Sequence, residues 1–460
     1  MEREEKGMFT SVILAAGMGT RMKSEMPKVI HKVCGKPLAK WVIDASKDAG
    51  ADAVLTITGH KSDMVRETIG NACEYALQAE QKGTGHAVMQ AADFIKAHKG
   101  NVVILNGDTP LITAETITKA IEYHTSEGNF ATVITAVLDD ATGYGRIVRG
   151  ADGGVLKIVE HKDATDEERK INEINSGMYV FESDALSSAL SRLTPNNAQG
   201  EYYLTDTLEI LLSDGKKVGA YAISDNDEIR GINDRVQLSE AEAIMQKRIN
   251  EMHMRNGVTM RIPESIYIEA DVEIGNDTEI GSGVTIKAGT KIGSSCVIGQ
   301  GSTLDKAVIH DNVEVLNSVI LDSEIDSHTK VGPFAYVRPN CKVGKDVKVG
   351  DFVELKNSTI DDGTKISHLT YIGDSDVGKN VNFGCGTVTC NYDGKNKFRT
   401  VIGDDCFVGC NTNFVSPINV GDGAYIAAGS TITEDIPDNS LSIARAKQVN
   451  KENWTDKRNK

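Results

Sequence analysis

At 460 residues the chain exceeds the size at which one hydrophobic core stops growing, and roughly 150 residues per domain gives about three units, fewer if part of it is a repeat array. Fifty Lys+Arg against 66 Asp+Glu leave a net charge of −16, which argues against nucleic acid or an anionic membrane as main partner and leaves phosphorylated small molecules open. Aromatics at 5% and 44 glycines hint at repetitive β-structure, no apolar run nears the roughly 20 residues of a membrane span, and Met1–Gly7 (MEREEKG) is too acidic for a signal peptide, so a cytoplasmic location is expected.

From Phe9 to about Gly231, apolar strand-like runs alternate with helical patterns. FTSVILAA (Phe9–Ala16) is followed by a helix over Lys36–Gly50, the strand ADAVLTIT (Ala51–Thr58), a helix near Ser62–Gly70 and the strand NVVILNGD (Asn101–Asp108). This alternation predicts a parallel sheet with helices on both faces, and ligands on such sheets sit beyond the carboxyl ends of the strands. Two motifs fall at such ends. The first is Leu14-Ala15-Ala16-Gly17-Met18-Gly19-Thr20-Arg21-Met22, followed by Pro27-Lys28, and the second is Asn106-Gly107-Asp108. The first is no dinucleotide fingerprint, because Met22 replaces the third glycine, and no GxxxxGK[ST] loop is present. Its glycines still let backbone N–H groups approach a phosphate, with Arg21 and Lys28 supplying charge. An Asp after an apolar strand can equally cap the next turn.

Residues 234–256 carry Leu238, Ala241, Met245, Ile249 and Met252 at steps of three or four, with Gly257 as a C-cap, and predict one amphipathic linker helix. Equally, the helix can belong wholly to the first core. After Arg261 the period becomes six: Ile274, Ile280, Ile286, Ile292, Ile298 and Leu304, then Val313, Val319, Ile325, Val331, Val337, Val343, Val349 and Leu355, then Ile360, Ile366 and Ile372, then Ile402, Val408, Phe414, Val420, Ile426 and Ile432. Small or β-branched residues recur two positions earlier at Val272, Thr278, Val284, Thr290, Cys296 and Ser302. Two columns in step are the signature of a parallel β-helix whose coils stack aliphatic residues and leave glycines at the corners. The register breaks near Asp305–Asp311 and at Cys390–Arg399 (CNYDGKNKFR), a polar insertion of the kind that projects from a solenoid and binds something, or is an inert loop. The eight cysteines form no CxxC pair; Cys296, Cys341 and Cys406 fit the small-residue column, which makes packing a better account than zinc at Cys385, Cys390, Cys406 and Cys410.

The glycine turn and Asn106-Gly107-Asp108, read with LQAEQKGTGHA (Leu77–Ala87), TGYGRIV (Thr142–Val148), VEHKDA (Val159–Ala164), EINSG (Glu173–Gly177), NAQGEYYLTD (Asn197–Asp206) and GINDR (Gly231–Arg235), resemble the sugar-nucleotide pyrophosphorylase family. More narrowly, the chain from about Phe9 to Arg445 is similar to the bacterial bifunctional uridylyltransferase/acetyltransferases that make UDP-N-acetylglucosamine. The resemblance implies an α/β Rossmann-like nucleotidyltransferase domain at 1–233, the linker helix, and a left-handed parallel β-helix acetyltransferase domain at 257–460, assembled as a homotrimer. Substrates would be UTP and N-acetylglucosamine-1-phosphate for the first domain, and glucosamine-1-phosphate and acetyl-CoA for the second.

By the same resemblance, Leu14, Ala15, Ala16, Gly17, Lys28, Gln78, Gly83 and Thr84 take the nucleotide, Gly145, Glu160, Asn175 and Asn233 the sugar side, and Asp108 and Asn233 a Mg2+ ion, with Arg21 and Lys28 stabilising charge. In the β-helix Arg338, Lys356, Tyr371 and Asn382 would hold glucosamine-1-phosphate, and Cys385, Asn391, Tyr392, Cys410, Ala428 and Arg445 acetyl-CoA. His368 is the expected general base, since acetylation of an amine needs a proton acceptor that works near neutral pH. The backbone N–H of Cys385 is an expected oxyanion donor. The family carries Ala where this chain has Cys385 and Ser where it has Cys410, which puts a hydroxyl role at 410 in doubt. A competing reading makes the chain a single-function nucleotidyltransferase whose β-helix only assembles, regulates or binds.

Overall fold

The computed structural model describes residues 9–458 apart from 152, 198 and 457; the acidic stretch Met1–Gly7 and Ala198 of the NAQGEYYLTD string lie outside them. Contacts divide the chain into two compact units, Met1–Met245 and Gln246–Lys460.

In the first unit β1 (Phe9–Ala15) is buried nearly throughout, as a strand covered on both faces must be. After it come α1 (Leu38–Asp48), β2 (Ala53–Thr58), α2 (Ser62–Ile69), β3 (Glu74–Leu77), α3 (Thr84–Met89), α4 (Ala92–Ala97), β4 (Asn101–Asn106), α5 (Ala114–Ser126), β5 (Ala131–Val137), β6 (Arg146–Arg149), β7 (Val155–Val159), β8 (Glu173–Glu182), α6 (Ser183–Leu190), α7 (Asp206–Ser213) and β9 (Val218–Ala222). The main path of the sheet runs β9-β5-β8-β4-β1-β2-β3. Successive residues serve opposite layers: Val12, Ile104 and Phe181 enter one core with Leu208, while Ile13, Leu105 and Val180 enter the other with Val42 and Ile117. The expectation of a purely parallel sheet is corrected here. β8 lies antiparallel between β4 and β5, and β6–β7 is an antiparallel hairpin. An apolar run does not encode strand direction; the connections do.

The helix α8 (Arg235–Arg255) starts where Asp234 accepts hydrogen bonds from the amides of Val236 and Gln237, both at 2.9 Å. Ala241, Met245 and Ile249 are buried as expected, but Met252 is 48% exposed and His253 takes the inward place. The division between the two units falls inside this helix, at Met245/Gln246.

The second unit is a left-handed parallel β-helix whose short strands form three sheets of 11, 10 and 9 strands. Aliphatic residues stack coil on coil, as Ile280 on Ile298 and Val349 on Ile366. The small-residue column is buried too, and its hydroxyls carry hydrogen bonds between coils: Thr364 donates to Gly378 O at 2.8 Å and accepts from the Val381 amide at 3.0 Å. Cys296, Cys341 and Cys406 are buried in that column, and the Cys406 thiol donates to Gly421 O at 3.1 Å.

Two assignments to the aliphatic column are corrected. Val315, not Val313, stacks on Ile298, and Ile320, not Val319, stacks on Leu304. Val313 belongs to the small-residue column, where its carbonyl accepts from the Val297 amide at 2.9 Å. Sides such as Leu304 to Ile309 and Val315 to Ile320 are one residue short of six, which shifts the phase without breaking the stack. Corners are turned less by glycine than expected, with Asp277, Asn312, Asn340, Asn380 and Asn411 at positive φ, where a short polar side chain tolerates the left-handed region. Phe334, Phe352 and Leu369 do the same at φ 61°, 56° and 43°, and all three are exposed.

Candidate active sites

In the first unit, the strand-end motifs meet. A cleft of about 320 Å³ is lined by Leu14, Ala15, Ala16, Gly17, Lys28, Gln78, Gly83, Thr84, Asn106 and Asp108, together with Glu201 and Tyr203. The glycine turn bends at Gly19 (φ 61°), where an added Cβ would lie 2.6 Å from Lys28 Cβ, while Gly17 faces open space. Gln78 is buried with its amide donating to Gly83 O at 3.1 Å, and Gly83 is fixed by φ 101° and by Tyr202 O, only 2.5 Å from where a Cβ would stand. Thr84 Oγ1 accepts from the Leu204 amide at 3.1 Å, which ties the NAQGEYYLTD segment to the cleft.

Lys28 closes one end. Its ammonium is paired with Asp108 and donates to Asn233 Oδ1 at 3.0 Å, and Arg21 donates to the same oxygen at 2.8 Å. Asn233 is held in turn by Gln237, whose Oε1 accepts from its amide at 2.7 Å, and Asp108 O accepts from Ile232 N at 2.9 Å. The oxygens of Asp108 and Asn233 thus converge on one cation. That donor set, two hard oxygens, fits a magnesium ion that keeps several waters.

The residues expected on the sugar side form a neighbouring group. Asn175 N donates to Gly145 O at 2.9 Å, and a Cβ on Gly145 would come 3.3 Å from Glu160 Oε1. Glu160 is an exposed residue, yet the walls around its carboxyl, and then Asp163, raise its pKa. The group joins the cleft through Asn106, which donates to Ser176 O at 3.3 Å.

On the β-helix the side chains expected at the acetyl site follow the coil register. His368 stands two residues past Ile366, and the residue stacked against it is Asp351, two past Val349. His368 Nδ1 and Asp351 Oδ1 are 2.6 Å apart, and that bond holds the Asp351 carboxyl below its usual range. The same corner continues through Cys385, Cys410 and Ala428, since Phe383, Val408 and Ile426 are in register. Arg445 adjoins the end of this column, its Cδ 3.7 Å from the Cβ position of Gly429. The Gly384 and Gly386 amides on either side of the Cys385 amide donate to Val408 O and Leu369 O.

Arg338, Lys356 and Tyr371 gather toward the next corner. Arg338 donates to Glu354 at 2.9 Å, and Lys356 pairs with Asp374 at 3.2 Å. Burial pushes the Asp374 carboxyl up, but donors from Asn357, Lys356 and Asn391 outweigh it and hold it low. Gly373 makes room for this group: a Cβ there would lie 2.3 Å from Tyr371 Oη and 2.8 Å from Asn391 Nδ2. Asn382 is not brought to them, because it faces outward from the adjoining sheet, between Lys365 and Phe407. Tyr392 is 59% exposed on the insertion.

Sequence reasoning missed Asp351, Asp374 and Lys397. Lys397 lies on the polar insertion beside Lys356; contact between the two amines raises Lys356 and lowers Lys397. The signal for Asp351 lay in the repeat, one coil before His368. Among the described residues no group of three or more His, Cys, Asp or Glu is disposed to hold a metal, and no helix is long and apolar enough to cross a membrane.

Residues 10–229 match the nucleotidyl transferase family, 271–306 six bacterial transferase hexapeptide repeats, and 322–436 the GMPPB C-terminal domain. The chain is 58% identical over 448 residues, 97% of each chain, to the bifunctional protein GlmU of Acetivibrio thermocellus. It is 54% identical to that of Caldanaerobacter subterraneus subsp. tengcongensis over 450 residues, 98% of each chain, and 55% to that of Clostridium botulinum over 449, 97% of this chain and 98% of the relative. These likenesses run through both units, glycine turn and β-helix alike, and the chain belongs to the bifunctional GlmU family.

Proposed function

We propose that this chain makes UDP-N-acetylglucosamine in two transfers, the first assigned to the α/β unit and the second to the β-helix. The convergence of Lys28, Arg21, Asp108 and Asn233 at the mouth of the glycine-lined cleft carries the first assignment. There a phosphate oxygen of N-acetylglucosamine-1-phosphate attacks the α-phosphorus of UTP, the new P–O bond forms, and the bond to pyrophosphate breaks. Negative charge collects on nucleophile and leaving group, so positioning and neutralisation dominate. Arg21 and Lys28 supply fixed positive charge, Gln78, Gly83 and Thr84 seat the nucleotide, and Glu160 and Asn175 address the sugar hydroxyls and acetamide. Asp108 and Asn233 would hold Mg2+, which supplies further charge on the phosphates.

The Asp351–His368 pair carries the second assignment. A carboxylate only accepts, so it makes Nδ1 the donor and leaves the Nε2 lone pair free. Nε2 takes the proton as the amine of glucosamine-1-phosphate attacks the acetyl thioester, and CoA leaves as the C–S bond breaks. Arg338, Lys356 and Lys397 form the cationic corner suited to the sugar phosphate, with Tyr371 beside it. The column Cys385–Cys410–Ala428, ending at Arg445, takes acetyl-CoA. Asn382 belongs to the same site but lies on the adjoining face, and the exposed corner ridge of Phe334, Phe352 and Leu369 is apolar surface suited to a neighbouring copy. Both features support a homotrimer with shared acetyl sites. Full-length protein given glucosamine-1-phosphate, acetyl-CoA, UTP and magnesium should form UDP-N-acetylglucosamine and pyrophosphate, with uridylyl but not acetyl transfer lost in EDTA. N-acetylglucosamine-1-phosphate that never forms would leave the single-function alternative.

A further inference from the structure

Of the cysteines, Cys385 and Cys410 are disposed differently from the rest. Cys296, Cys341 and Cys406 point into the core, and Cys390 stands at another corner, following Thr389. Cys385 and Cys410 sit on consecutive coils at equivalent places, each two residues past the in-register pair Phe383 and Val408. The coils are tight there: Asn411 N donates to Cys385 O at 2.8 Å, and a Cβ on Gly384 would lie 2.5 Å from Cys410 N. Strand spacing puts the two α-carbons about 4.8 Å apart, inside the roughly 4.4–6.8 Å that a disulfide spans. Cys410 is exposed and Cys385 half-buried, so an oxidant reaches them.

We propose that Cys385 and Cys410 form a reversible disulfide that shuts off acetyl transfer and leaves uridylyl transfer running. The inference rests on the reading of this corner as the acetyl-CoA column; the bridge would sit one coil beyond His368, on the surface along which the thioester must lie. With hydrogen peroxide as oxidant, one thiolate attacks a peroxide oxygen, the O–O bond breaks, water leaves, and a sulfenic acid forms. The second thiol then attacks that sulfur, the S–O bond breaks, a second water leaves, and the S–S bond closes. The two thiol hydrogens end in the two waters, and both sulfurs are oxidised as the peroxide is reduced. The side chains must draw together by roughly 1 Å, a strain that leaves the bond open to reduction by small thiols.

The test uses the reduced full-length protein treated with peroxide, then freed of it with catalase, and assayed for N-acetylglucosamine-1-phosphate and UDP-N-acetylglucosamine formation separately. Expected are an intact mass lower by two hydrogens, a peptide joining Cys385 to Cys410, a fall of roughly tenfold or more in acetyl transfer, recovery with dithiothreitol, and unchanged uridylyl transfer. Cys385→Ala and Cys410→Ser, each compared with its own reduced form, should lose the response. Absence of that peptide, or an equal oxidative loss in the single variants, overturns the proposal. A bridge that forms while acetyl transfer persists overturns the shut-off together with the placing of acetyl-CoA on this column.

Discussion

His368 is 56% exposed at its side chain, and nothing in its burial distinguishes it from a surface histidine; its partner does. In-register stacking puts Asp351 one coil away, and the 2.6 Å bond fixes which nitrogen faces outward. His368→Ala should lower acetyl transfer by roughly 10²–10⁴. Asp351→Asn should cost roughly tenfold or more, about 1.4 kcal/mol on the barrier, because an amide can donate to Nδ1 and favour the unproductive tautomer. Steady-state rates of both variants, with Asp351→Glu restoring part of the loss, check this; equal activity in Asp351→Asn and parent would make the pair structural. Sequence alone pointed to His368 only through family strings. Asp351 was legible in principle, since 17 positions separate it from His368 and that is one coil, but a search along adjacent residues does not see a neighbour across coils.

At the scale of elements, the six-residue period revealed the β-helix because a buried position must recur at each coil, and it misplaced Val313 and Val319 because short sides change the phase while preserving the stack. The glycine turn and the NGD strand end were legible as strand ends. The antiparallel course of β8 was not, since burial on both faces erases the alternation that distinguishes strand environments. Helix α5 carries a consequence that sequence patterning also hides: His124 is buried against Thr132 Oγ1 at 2.9 Å, and desolvation lowers its pKa from 6.5 to about 4. The folded form therefore stays neutral while the unfolded chain takes up a proton below pH 6.5. Stability from this group is fully present above 6.5 and is lost as pH falls toward 4, by about 3 kcal/mol at most. Urea unfolding followed by Trp41 fluorescence should show that slope, and His124→Gln should flatten it; an unchanged slope would place the acid sensitivity elsewhere.

For the whole molecule, the decisive feature is that each proposed site draws its side chains from one kind of unit, the acetyl site from the β-helix units of neighbouring copies. The cleft residues run from Leu14 to Asn233, within Met1–Met245, and the acetyl residues from Arg338 to Arg445, within Gln246–Lys460. Each unit also has its own buried core, sheet-based in the first and a stacked column in the second. Charge changes at one site should therefore leave the chemistry assigned to the other unit unaltered. Asp108→Ala removes the carboxylate that pairs with Lys28 and is placed to hold magnesium, so uridylyl transfer should fall by at least roughly a hundredfold, as expected when charge stabilisation at a phosphoryl centre is lost. Acetyl transfer by the same protein should match the parent, and N-acetylglucosamine-1-phosphate should accumulate when glucosamine-1-phosphate, acetyl-CoA and UTP are supplied together. His368→Ala should do the reverse, making UDP-N-acetylglucosamine only from added N-acetylglucosamine-1-phosphate. Mixing the two variants should restore the full sequence if the intermediate passes through solution. Equal loss of both activities in Asp108→Ala, with the protein still folded by circular dichroism, would mean that the two units are coupled in a way their separate cores do not suggest.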